Sequence, residues 1–173
     1  MLQRTEHALV SLARQTILHY LTTGEHLKPA DEFPIIVQRP AGVFVSLKRH
    51  GELRGCIGTC VPMQPSLVQE IIHNAVCAAV ADPRFPPVTP DEMEDIDIAV
   101  DVLTPPAKVA DVEQLDPKRF GVIVRSGGCV GVLLPDIPQV TTVELQLAIA
   151  RRKAGLRPAE PVEIYRFEVT RYH

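Results

Sequence analysis

The chain has no tryptophan, three tyrosines and five phenylalanines, so its core must be mainly aliphatic. No apolar run approaches the about 20 residues that a membrane-spanning helix needs. A basic excess is missing too. Eighteen Lys and Arg face twenty-one Asp and Glu, a net charge of -3 and a pI of 6.1, which argues against a general nucleic-acid binder. The opening Met1-Leu2-Gln3-Arg4-Thr5-Glu6 lacks the basic start and short apolar core of a signal peptide. A cytoplasmic protein that does not enter the membrane is expected. There, the four cysteines, Cys56, Cys60, Cys77 and Cys129, are expected as reduced thiols.

What is present is ordinary globular composition. The 173 residues are 46% hydrophobic and 23% charged, enough for one well-buried core or two small subdomains. Sixteen prolines predict many sharp connections. Leu9, Leu12, Ala13, Ile17, Tyr20 and Leu21 recur at helical spacing, and Gly24 stands where a left-handed stop is needed. A helix over about 6–22 follows, then a polar linker over 25–34. Gly42-Val43-Phe44-Val45-Ser46-Leu47 reads as a strand, Lys48-Arg49-His50-Gly51 as a solvated turn, and 53–60 as the returning strand.

Ser66 and Gln69 predict a capping box for a second helix, with Val68, Ile71, Ile72, Ala75, Val76 and Ala79 as its buried stripe and Asp82-Pro83 as its end. Thr89-Pro90 opens a short helix. Residues 95–102 then alternate strictly, a half-buried strand with Asp95, Asp97 and Asp101 on its wet face.

The second half repeats this order. Gly121-Val122-Ile123-Val124 echoes Gly42-Val43-Phe44-Val45, and Ser126-Gly127-Gly128 is a hairpin turn. Residues 130–134 return, and Thr141 with Glu144 caps a helix running to Lys153 and stopped by Gly155. Residues 162–169 alternate as a last strand, and Arg151-Arg152-Lys153 complements a helix C-terminus. The expectation is an α+β fold. It is an internal duplication of strand-strand-helix-strand units, about 42–104 and about 120–171, within a single domain spanning 1–173.

The repeat isolates one feature. The first hairpin holds Arg54 and Cys56 where the second holds Val130 and Val132. On an ideal strand Glu52, Arg54 and Cys56 share one face, and a cation beside a thiol favours the thiolate. The glycines Gly55 and Gly58 mark a bulge or a close approach by backbone or ligand. Cys56 is thus the candidate nucleophile, Arg54 its electrostatic partner and His73 on the second helix a candidate base. Gly55, Gly58 and Thr59 are candidate binding residues. Arg84 and Phe85 join them on the stiff loop Asp82-Pro83-Arg84-Phe85-Pro86-Pro87. The alternative is that Cys56 is a small buried hydrophobe and Arg54 pairs with an acid. Cys56 and Cys60 alone make a poor metal signature, and no metal site is expected.

Leu53-Arg54-Gly55-Cys56-Ile57-Gly58-Thr59 resembles the hallmark of the AMME-syndrome chromosomal-region candidate protein family, also called AmmeMemoRadiSam system protein A. Asn74-Ala75, the 82–87 loop, Val102-Leu103-Thr104-Pro105-Pro106, Gly131-Val132-Leu133-Leu134-Pro135, Lys153-Ala154-Gly155-Leu156 and residues 162–167 match as well. The resemblance covers nearly the whole chain. It implies two structural repeats on one mostly antiparallel, barrel-like sheet, and no established activity. In prokaryotes it implies association with Memo-like and radical S-adenosylmethionine proteins. Many relatives carry a Trp-Asp pair opening the last helix and a cysteine before its Lys-Ala-Gly; here these places hold Thr141-Thr142 and Arg151. Together these readings make the chain a small enzyme or enzyme accessory using the Cys56/Arg54 hairpin. A non-catalytic protein-binding adaptor is the alternative, and nucleic-acid binding through Lys48, Arg49 and Arg54 a weaker one.

Overall fold

Gly24 ends the first helix as expected, at φ 75 and ψ 4, a conformation open to glycine without a Cβ penalty. The computed structural model describes residues 6–29 and 39–173; residues 1–5 and the second half of the predicted linker, 30–34, lie outside that range. In chain order the main elements are α1 (Ala8–Thr23), β1 (Val43–Arg49), β2 (Glu52–Thr59), α2 (Leu67–Val80), β3 (Ile96–Leu103), β4 (Ala107–Lys108), β5 (Gly121–Ser126), β6 (Cys129–Leu133), α3 (Val143–Lys153), β7 (Glu163–Phe167) and β8 (Val169–Tyr172). Short 3-10 turns occupy Pro90–Glu94 and Val112–Gln114. The chain divides into two compact units, residues 1–102 with 170–173, and residues 103–169.

In the first unit the strands lie in the order β2-β1-β3-β8. Val43, Val45 and Leu47 of β1 are 0% exposed and pack with α1 and α2 residues in one aliphatic core. Each such side chain contributes roughly 1.5–3 kcal/mol by leaving water. The β1–β2 turn places His50 and Gly51 at φ 53 and 83, as a two-residue hairpin turn requires. Ser66 caps α2 by accepting the Gln69 N–H at 3.3 Å. The whole expected stripe of α2 is buried, and Glu70 and Asn74 are buried with it.

In the second unit the order is β4-β7-β5-β6, with α3 packed on β5 and β6. Val122, Val124, Leu133 and Ala150 form its core. The N-cap of α3 is Thr142, one residue later than expected, because its hydroxyl reaches the Leu145 N–H at 3.2 Å. Both units share a local plan. A hairpin is followed by a helix, and the strand after the helix pairs antiparallel with the first strand of the hairpin.

The expected single barrel-like sheet is not what forms. Among the described residues two separate four-stranded antiparallel sheets are present, each with two edge strands. The reason is local. Pro105 and Pro106 follow β3 after only Thr104 and cannot donate to a ladder. The predicted last strand over 162–169 is interrupted at Glu168, so β7 and β8 fall in different sheets. Asp101 is also not on a wet face: it is 1% exposed and held at both oxygens by Arg171, at 2.7 and 2.9 Å.

Candidate functional site

The β1–β2 ladder slips by one residue: Leu47 faces Gly55, but Lys48 faces Leu53. Arg54 is the extra residue of a β-bulge, which breaks the alternation that would have put Arg54 and Cys56 on one face. The bulge falls at the arginine rather than at either glycine. The glycines serve packing instead. A Cβ at Gly55 would overlap the Ala78 carbonyl oxygen of α2, and one at Gly58 would overlap the Phe44 ring. The close approach expected at Gly55 is therefore that of a helix backbone, and Gly131 meets the Ala150 carbonyl of α3 in the same way.

Arg54 is not the partner of the thiol. Its Nε and Nη2 grip the two oxygens of Glu92 at 2.9 and 3.0 Å. Nη1 and Nη2 also donate to the carbonyls of Pro86 and Pro87, at 2.9 and 3.3 Å. Glu92 further accepts from Arg49 and from the Thr89 N–H. The Arg54 bonds hold the Glu92 carboxyl down at about 2, well below the usual carboxylate range. Both side chains are 14% exposed, so the pair is a partly buried fork rather than a freely solvated surface contact. Arg49 belongs to this network and is not a solvated turn residue.

Cys56 sits on an edge strand, and its outward backbone groups are taken by the 82–87 loop. Its N–H donates to Asp82 Oδ2 at 2.9 Å, and its carbonyl accepts from Arg84 Nη2 at 3.2 Å. Asp82, with a side chain 3% exposed, is itself clasped by Arg84 Nε and Nη2 at 2.9 and 2.7 Å. These bonds hold the Asp82 carboxyl well below its ordinary range. The sulfur shares a hydrogen bond with Ser46 Oγ at 3.3 Å. Burial pushes the Cys56 thiol up, against the lowering pull of Ser46 and the Arg84 cation. Arg84, not Arg54, is thus the cation that acts on the thiol. A hollow of about 130 Å³ opens beside Ser46, with Lys48, Asp97, Ala99 and Arg171 in its wall.

His73 is exposed on α2, and its Nε2 meets Cys77 Sγ at 3.6 Å. The spacing of four residues that joins these two turns the ring along its own helix, and His73 is not among the partners of Cys56. Phe85 is half-buried beneath the Arg84 guanidinium, 5.5 Å from ring centre to carbon. Pro83, Arg84, Pro86 and Pro87 are exposed around it. Thr59 is drawn inward: its hydroxyl donates to Glu70, which is 0% exposed and also accepts the Met63 and Gln64 N–H groups at 2.8 and 2.7 Å. Asn74 Nδ2 adds bonds to the Val43 carbonyl and to Thr59.

The sequence reading missed Glu92, Asp82 as a clasp, Glu70, Ser46 and the Asp101–Arg171 pair. Glu92 and Glu70 had a signal. The first sits three residues after the capping Thr89, and the second lies on the buried face of an apolar helix. All four cysteines are thiols. Among the described residues no group of three or more His, Cys, Asp or Glu side chains could hold a metal ion, and no helix is long and apolar enough to cross a membrane.

A profile of the AMMECR1 family matches residues 10–172. A Thermotoga maritima protein is 51% identical over 170 residues, which cover 96% of this chain and 98% of that protein. A Clostridium acetobutylicum protein is 48% identical over 165 residues, which cover 94% of this chain and 35% of that longer protein. The crystal structure of an uncharacterized protein from Pyrococcus horikoshii is similar with a TM-score of 0.89 at 38% identity, over 94% of this chain and 88% of that one. The Arg54–Glu92 fork, the Asp82–Arg84 clasp and the glycine-bearing hairpin lie within the matched span, and the chain belongs to the AMMECR1 family.

Proposed function

We propose that this protein is a non-catalytic protein-binding module, and that its docking surface is the rigid ledge at residues 83–87. One observation carries this reading. Arg54 fixes the carbonyls of both Pro86 and Pro87 while their rings remain exposed. A surface held in one conformation before binding loses little entropy on docking. The rest of the hairpin motif supports the same reading, since Cys56, Gly55 and Thr59 each engage a neighbouring element rather than an open cleft. The proposed partners are Memo-like and radical S-adenosylmethionine proteins, and the proposed setting is the cytoplasm. Within the one family domain, we read the two units as diverged copies of a single hairpin-helix-strand ancestor.

The test is a binding titration of the purified chain against each of those two partners. Pro86→Glu is expected to weaken binding at least tenfold, while Cys56→Ser leaves it unchanged and both variants keep the wild-type circular dichroism spectrum. Wild-type binding by Pro86→Glu, or lost binding by a folded Cys56→Ser, overturns the reading.

A second reading, an enzyme using Cys56, has one observation in its favour: the Ser46 hydroxyl that meets the thiol also lines a hollow with Lys48 and Arg171. Nucleic-acid binding through Lys48, Arg49 and Arg54 has less support, because Arg49 and Arg54 both turn their guanidinium groups to Glu92.

A further inference from the structure

A groove of about 540 Å³ runs along the outer side of α3 in the second unit. Leu147, Ala148, Leu156 and Pro158 supply its apolar wall, and Leu156 is rooted in the core at 8% exposure. Glu144 marks one end, Arg151 and Arg152 the other. Nothing in the hairpin or the proline ledge uses this surface.

We infer that this groove is the contact surface of a two-fold homodimer, in which α3 pairs antiparallel with α3 of a second copy. Glu144 and Arg152 lie four residues to either side of Ala148, so all three share one helix face. With Ala148 on the two-fold axis, Glu144 of each copy faces Arg152 of the other. The charge pattern is its own complement, which an isologous interface requires and an unrelated partner would not. Among the described residues neither Glu144 nor Arg152 has a side-chain hydrogen bond or ion pair, whereas Arg151 donates to the Glu160 carbonyl at 2.6 Å. Alanine at the centre lets the helices approach near the short end of the usual ~8–10 Å separation. One helix face per subunit is a small interface, so the dimer is a weak one.

The experiment is sedimentation velocity on the full chain, at concentrations up to about 1 mM, where an association with a Kd of about 1 mM is half complete. The expected species has about twice the 19.1 kDa mass of one chain, and salt reduces its population. Glu144→Arg and Arg152→Glu each bring like charges together and weaken the dimer at least tenfold. Mixing the two single variants restores it, because each contact of the mixed pair again joins opposite charges. The double variant Glu144→Arg/Arg152→Glu restores it for the same reason. A wild-type chain that stays monomeric throughout overturns the inference. So does a dimer indifferent to both substitutions, or a loss that neither mixing nor the double variant repairs.

Discussion

Asp82 stands to Cys56 as a neighbouring strand would, taking its backbone N–H at 2.9 Å on the open edge of β2. Arg84 completes the substitution by donating to the Cys56 carbonyl. Edge strands expose unpaired backbone groups that invite pairing with other chains, and here one residue's worth of edge is sealed by side chains.

Asp82→Ala is therefore expected to leave the Cys56 N–H without its acceptor and the Arg84 guanidinium without its carboxylate. The loss of stability should be about 2–4 kcal/mol, read by urea denaturation. Asp82→Asn can still accept the N–H and should lose less. Equal losses for the two variants would mean that the charge, not the backbone cap, is what matters.

The Arg54–Glu92 fork predicts an acid-sensitive term. The Glu92 carboxyl is at about 2 in the folded protein against an ordinary 4.5. Its stabilising contribution is complete above about pH 4.5 and is lost as pH falls through about 2. It amounts to at most about 3 kcal/mol. Asp82, also depressed, weakens in the same acid range. Glu92→Gln should lower stability at neutral pH and flatten the fall over that window. An acid limb as steep as that of the wild type would show that other carboxylates carry it.

The thiols should differ in reactivity. Cys129 is exposed, while burial raises the Cys56 pKa. Alkylation followed by peptide mass spectrometry at neutral pH is expected to modify Cys129 first and Cys56 at least tenfold more slowly, since only the thiolate attacks. Asp82→Ala should speed the Cys56 reaction by loosening its strand. Rapid modification of Cys56 in the intact protein would favour the enzymatic reading.

Much of this was legible in the sequence where chemistry is local. The φ of Gly24, the Ser66 cap, the short helix after Thr89 and the α2 stripe follow from neighbouring residues alone. The site was less legible because its partners are distant in sequence. Arg54 meets Glu92 across 38 positions and Cys56 meets Asp82 across 26, and no spacing rule reports either pairing. The bulge at Arg54 also defeated the alternation rule, which holds only while the ladder keeps its register. The proline loop at 82–87 was visible; that it would be pinned by the motif arginine was not.

Gly55→Ala and Gly131→Ala should behave alike, since each added methyl meets a helix carbonyl, of Ala78 or Ala150. Each is expected to destabilise by about 1–3 kcal/mol, because overpacking forces the helix off its strand. Thermal melts of both variants check this. Tolerance at one position and not the other would separate the two units' packing.

Glu70 has a consequence for how the segment between β2 and α2 meets other molecules. Val61 and Met63 are 48% and 69% exposed, yet the amides of Met63 and Gln64 are tethered to a carboxylate sealed inside the unit. A protease must thread several residues in extended form through its cleft, and this tether denies it the slack. The segment should resist limited digestion as long as the unit is intact, and scission there should track unfolding of the whole first sheet rather than the looseness that surface loops ordinarily show.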